Sequence, residues 1–268
     1  MVHHNSLSEQ AKSRFSAVFS TLQIGHLLRK AGISKSFGYS SLAVFQILFS
    51  LVFEGRNWFR LLESDRGKSL PRKDVVYRFL NQASFNWRKF LHSFALKIVL
   101  HFESLISSSR TRVFIVDDSV LSRNRSKKAE LLARVFDHTT GRFTKGFNML
   151  TLGWSDGFSF APIDFVMLSS AKLVNRICEM NEHLSKRSQG YKRRIEAFSR
   201  KPDAVADMGR TSTVCRLCRR LCADGQLVHP SAAAPNVNRQ RTSGHRHDQR
   251  HETTLPVEWQ AAEFKRTV

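Results

Sequence analysis

Twenty of the 21 phenylalanines in this 268-residue chain lie before residue 209. Large apolar side chains are what a folded interior is made of, and each aromatic buries about 150–250 Å². The material for a core is therefore confined to the first 208 residues. The remaining 60 hold one Phe (Phe264) and one Lys (Lys265), but nine Arg, four His and three of the four Cys. Neither a helical nor a strand period persists there for more than a few residues. One part of the sequence is built to fold, and the other is compositionally foreign to it.

Charge narrows the partner. The chain has 43 Lys and Arg against 22 Asp and Glu, a formal +21. The excess is +10 over residues 1–100, +6 over 101–208 and +5 over 209–268, so it is no detachable basic arm. An excess of this size points to a polyanion, most commonly nucleic acid. The aromatic content excludes a wholly disordered chain, and four cysteines exclude a disulfide scaffold. The start, Met1-Val2-His3-His4-Asn5-Ser6, has no charged region followed by an apolar one, so no signal peptide is read. The most apolar run, Leu42 to Phe53, is too short to cross a bilayer and fits a buried helix. A cytoplasmic, nucleoid-associated protein with no membrane partner is the expectation.

Residues 1–109 read as helical. Phe15, Val18, Phe19 and Leu22 share one helix face. A helix ending near Gly32, followed by one capped at Ser40-Ser41, suggests a helix-turn-helix. Two more helices are expected over residues 74–82 and 87–105. The bland reading is a bundle with a solvated basic surface; the sharper one is a DNA-binding bundle. Beyond Ser107 the pattern changes to strands at Thr111–Val116, Phe147–Leu152 and Phe158–Met167, the last two divided by the turn Ser155-Asp156-Gly157. Helical character is then expected from Leu173 to Phe198. Trp58 and Trp154 are expected in the core or in hairpin packing.

The first strand runs into Asp117-Asp118. Successive strand residues face opposite sides, so only one of the two can serve a given site. A carboxylate there, on a cationic protein, suits a hard cation that also binds substrate phosphates, and two such ions can drive phosphodiester cleavage. The alternative is a pair that caps a turn. Lys127, Lys128, Lys145, Lys192, Arg193 and Arg194 are candidate phosphate contacts, against the alternative of a solvated charged face.

The run Phe114-Ile115-Val116-Asp117-Asp118-Ser119-Val120-Leu121-Ser122-Arg123 resembles the first catalytic motif of bacterial insertion-sequence transposases with a DDE, RNase H-like core, specifically the insertion-sequence-four group. Residues 145–157, from Lys145-Gly146-Phe147 to Ser155-Asp156-Gly157, resemble that group's second and third strands and their hairpin. Tyr191-Lys192-Arg193-Arg194-Ile195-Glu196-Ala197 resembles its basic helix. The resemblance implies Asp118 as the first metal-binding carboxylate, with Asp117 the second choice. It further implies Mg2+ or Mn2+ and strand cleavage and transfer at terminal inverted repeats. Partners would be DNA, a second copy, or a full-length transposase.

The departure from the family is as informative. That group supplies a second Asp in a motif like Tyr-Val-Leu-Met-Asp-Ser-Trp-Phe and a Glu much further on, and neither motif follows Met208. Codons for Leu221 to His229, read one base downstream, permit the missing Asp motif. The expectation is a frameshift near Asp207–Gly209, leaving one carboxylate and no strand transfer. Cys215, Cys218 and Cys222 with His229, His245 or His247 could be drawn as a zinc site, but the second ligand pair is irregular and no zinc is expected.

The sequence therefore predicts an α/β protein. A helical DNA-binding region over 1–109 precedes an incomplete RNase H-like domain over 110–208, with a mixed sheet and flanking helices. An irregular or disordered out-of-frame tail spans 209–268. Functionally it is a transposase, inactive in this copy. The alternative is a non-catalytic DNA-binding fragment that occupies transposon ends or interferes with full-length transposase.

Overall fold

A computed structural model describes residues 15–55, 57–105, 110–211 and Leu217. The chain forms two compact units: residues 1–97 with 181–194, and residues 98–180 with 195–268. The tail expectation for 209–268, and the Cys/His set within it, lie outside the described residues apart from 209–211 and Leu217.

The first unit is helical. Residues 15–21 form α1, followed by α2 (Ile24–Lys30), α3 (Ser41–Glu54), α4 (Trp58–Leu62), α5 (Lys73–Leu80) and α6 (Trp87–Glu103), which runs on into the second unit. The caps are local and legible. Ser40 Oγ accepts from the Ala43 amide at 3.1 Å, Asn57 Oδ1 from Arg60 at 2.9 Å and Asn86 Oδ1 from Lys89 at 2.9 Å. The phenylalanines meet in one cluster. Phe45 packs edge-on to Phe90 with ring centroids 5.1 Å apart, Phe19 to Phe49 at 5.3 Å, and Phe79 to Trp87 at 5.4 Å. Trp58 is buried in the same core. The later segment joins through α7 (Gln189–Glu196), where the Gly190 amide donates to the Ala83 carbonyl at 2.8 Å.

The helix-turn-helix expectation is not met. Ten residues (31–40) separate α2 from α3, where the motif uses a turn of about 3–4. More decisively, α3 contains no Lys or Arg. A helix without a cation cannot neutralise phosphates, so α3 is a packing helix.

The second unit is a four-stranded sheet with all described pairings antiparallel: β1 (Val113–Ser122), β2 (Ala133–Asp137), β3 (Arg142–Ser155) and β4 (Phe160–Leu168). Gly146 of β3 pairs with both Ser122 and Ala133, so β1 runs along one edge of β3. β2 and β4 share the other edge end to end. One face carries Phe114, Leu150, Leu152, Trp154, Ala161 and Val166, all buried. Helix α8 (Lys201–Gly209) packs on β3 and β4 and buries Ala204 and Met208, one turn apart. Among the described residues β1 pairs with β3 alone.

Helical structure after β4 is shorter than the expected 173–198. Leu173–Asn175 form a single 3-10 turn, and the chain then runs irregularly to α7. The apolar residues 173, 177, 180 and 184 are helically spaced, but tertiary pairing wins. The amides of Ile177 and Cys178 donate to the Leu132 carbonyl at 2.7 and 3.3 Å, and Arg176 bridges to Ala133.

The β3–β4 turn stores a pH dependence. Asp156 accepts from the Ser159 amide at 2.6 Å, the Phe158 amide at 3.1 Å and Arg110 Nη1 at 2.8 Å, while Gly157 adopts φ +89°. The Ser159 bond foremost, and then the Arg110 guanidinium, hold the Asp156 carboxyl at about 2 against its burial. A folded-state value below the unfolded one, about 4, contributes stability that is complete above that value and lost as pH falls toward 2. Urea midpoints measured from pH 5 to pH 2 should therefore fall across that window. In Asp156→Asn the fall should be shallower.

Candidate functional site

Asp117 and Asp118 sit in the middle of β1, as its fifth and sixth residues, with the strand continuing to Ser122. The expected strand ending in the Asp pair is too short, because Ser119–Ser122 keep pairing with Met149–Gly146. Asp118 lies opposite Leu150 and Asp117 opposite Thr151, so the two point to opposite faces. Asp118 is on the face packed by α8, in line with Leu150 and Val166. Asp118 thus lies on the α8 side of the sheet and Asp117 on the opposite side.

What meets Asp118 there is a cation of the chain itself. Lys201, at the first position of α8, places Nζ 2.5 Å from Asp118 Oδ2. Arg200 sits at the N-cap beside it, with Pro202 next in the first turn, where a missing amide is harmless. Arg200 turns instead to Asp203, Nε to Oδ2 at 3.0 Å, and Asp203 holds the arginine's pKa up while its own is held down. Lys201 is thus the group left to face β1. Both partners are more than one-third exposed, so the pair adds little to stability, about 0–1 kcal/mol after solvent screening. Its consequence is chemical: one oxygen of Asp118 is already paired with an ammonium, while the other carboxylate on that face, Asp164 of β4, is fully buried.

The basic candidates fall in separate places. Lys127 and Lys128 are exposed in the loop between β1 and β2. Lys145 is in β3, in register with Arg134 of β2. Lys192, Arg193 and Arg194 lie on α7 in the other unit. Sequence reasoning missed Lys201, which has no local signal because its partner is 83 residues away. It also missed the β2–β3 hairpin, although Thr139-Thr140-Gly141 between two aromatic-basic runs is a turn signal.

The model of the DDE superfamily endonuclease family matches residues 71–226, more than half of the chain. The chain belongs to this superfamily. Comparison with curated proteins and with solved structures returns no match. The α/β fold, its antiparallel sheet and its flanking helices agree with part of an RNase H-like DDE domain. A DDE endonuclease domain implies DNA as substrate, and such nucleases typically work with divalent metal ions. The match runs 18 residues past Met208, and α8 itself crosses the segment 207–209 where composition shifts.

Among the described residues, the donor set does not fit a two-ion metal centre. Two ions about 3.5–4 Å apart need several carboxylate oxygens converging on them. Among the described residues no group of three or more His, Cys, Asp or Glu side chains gathers anywhere. Asp118 offers one carboxylate, with an ammonium on one of its oxygens. Among the described residues, too, no helix is long and apolar enough to cross a membrane.

Proposed function

We propose that this DDE-superfamily chain is the product of a bacterial insertion-sequence transposase of the insertion-sequence-four group, one that binds DNA but does not cut it. The observation that carries this reading is the pairing of Asp118 with Lys201, with no group of three or more potential metal ligands gathered among the described residues. A charge of +16 over residues 1–208 supports DNA as the partner, and the resemblance of residues 114–123 to insertion-sequence transposases points to the terminal inverted repeats of an element as the expected DNA. The compositional break after Met208 supports a change of reading frame downstream. The second-Asp motif would then be encoded in the adjacent frame.

Two tests follow. A gel shift with a 30-base-pair terminal repeat should give salt-sensitive binding, and the affinity should fall steeply between about 50 and 200 mM salt. Failure to bind any DNA at low salt would remove the reading altogether. The coding DNA should contain a Tyr-Val-Leu-Met-Asp-Ser-Trp-Phe-type run one base downstream of the codons for Leu221–His229. Its absence there would end the frame argument while leaving DNA binding standing.

A further inference from the structure

The β2–β3 hairpin carries a surface that the Asp118 site does not use. Register places Arg134 opposite Lys145 and Phe136 opposite Phe143, and side chains of directly opposed residues share a face. On that face Phe143 is 63% exposed and Phe136 37%. Their rings meet edge-on at 5.2 Å, His138 packs edge-on to Phe136 at 5.0 Å, and the Arg134 guanidinium lies 5.5 Å from the centre of Phe143. The other face of the hairpin explains why the aromatics are outside: Ala133 and Val135 are the residues it buries.

The surface is held rigid rather than left loose. Asp137 closes the turn by accepting from the Thr139 amide and from Thr140 Oγ1, both at 2.9 Å, with Gly141 at φ +65°. These bonds, that from the Thr140 hydroxyl foremost, hold the Asp137 carboxyl below its ordinary value. At the base, Asn124 Oδ1 accepts from Thr144 Oγ1 at 2.8 Å and from the Lys145 amide at 3.0 Å, while the Arg123 amide donates to the Lys145 carbonyl at 2.7 Å. The exposed loop residues Arg123, Arg125, Lys127 and Lys128 are thereby anchored beside the hairpin. Over residues 123–145 seven basic residues, Arg123, Arg125, Lys127, Lys128, Arg134, Arg142 and Lys145, stand against two acids, Glu130 and Asp137.

Exposed rings on a rigid platform, with guanidinium and ammonium groups around them, match the chemistry of unpaired nucleotides. Each base offers a π-face to a ring, and each phosphate offers a charge to the cations. A purely duplex-binding surface needs the cations but has no use for the rings, because paired bases present only their edges. We propose that the β2–β3 hairpin is a single-strand platform, on which unpaired bases at a DNA end stack on Phe143 and Phe136 while Arg134 and Lys145 hold the adjoining phosphates. The proposal rests on the DNA-binding reading above and assigns to it a specific form of substrate.

Anisotropy titrations of the full chain with a blunt duplex, and with the same duplex bearing a six-nucleotide pyrimidine extension, decide it. Wild type should prefer the extended probe. Phe143→Ala should weaken binding to that probe by at least about fivefold, the lower range of base–ring stacking, while leaving the blunt duplex within about twofold. Phe143→Trp keeps a ring and should retain the preference, which separates stacking from misfolding. Arg134→Gln should weaken both probes and flatten the salt dependence. Equal binding of the two probes by wild type, or an unaffected preference in Phe143→Ala, overturns the platform while leaving DNA binding intact. A change of oligomeric mass by light scattering in Phe143→Ala, with unchanged DNA affinity, would overturn it in favour of a protein contact.

Discussion

Replacing Trp154 by alanine should cost the sheet unit about 3–5 kcal/mol. The indole is fully buried on the face of β3 that also carries Leu150 and Leu152, and it stacks on Phe102 of α6 with centroids 6.2 Å apart. Phe114 lies directly opposite on β1 and Ala161 on β4, so the void would open where three strands and a helix meet. Neighbouring strands are hydrogen-bonded in fixed register and cannot collapse into it, which puts the cost at the high end for a core truncation. Trp154→Phe should cost less than about 1.5 kcal/mol. It keeps a ring against Phe102 and sheds an indole N–H that finds no acceptor among the described residues. Urea denaturation followed by circular dichroism measures both, and equal midpoints for the two variants would contradict the packing described.

Gly146→Ala should destabilise the same unit by about 1–3 kcal/mol through the backbone alone. A methyl group at this position would overlap the Leu121 carbonyl oxygen and come within 3.1 Å of its carbon and 3.2 Å of Ser122 Cα. These are main-chain atoms of β1, so no rotamer change relieves the clash; the strand must move. Glycine within a strand marks such a close approach. Because Gly146 pairs with β1 on one side and β2 on the other, the substitution should also loosen the Arg123–Lys145 bond that anchors the hairpin surface. Amide exchange at Arg123 should accelerate in the variant, whereas substitution of the exposed Lys186 by Ala, in the other unit, should leave it unchanged.

The central strands were legible because their physics is local. Val-Phe-Ile-Val before the Asp pair, and two apolar runs about Ser155-Asp156-Gly157, carry β-branched and aromatic residues with a turn signal between them. Those strands form, as do helices α3, α5 and α6, the first and last of them capped by Ser40 and Asn86. The irregular stretch 176–188 was not legible, since its helical spacing is overridden by amides that reach back to Leu132. The Asp118–Lys201 pair was invisible for the same reason: a contact 83 residues apart leaves no trace in a window of the sequence. The hairpin surface was half legible. Its charges showed in the composition, but β2 is only five residues long, and its face could be assigned only from the register with β3.

With Asp118 paired to Lys201, this DDE-superfamily chain is expected to bind DNA without cutting it. Incubation of the full chain with supercoiled plasmid carrying the terminal repeats, in Mg2+ and separately in Mn2+, tests this directly. The prediction is bound plasmid that remains supercoiled, in wild type and in Asp118→Asn alike. Metal-dependent nicking by wild type that Asp118→Asn abolishes would contradict the account.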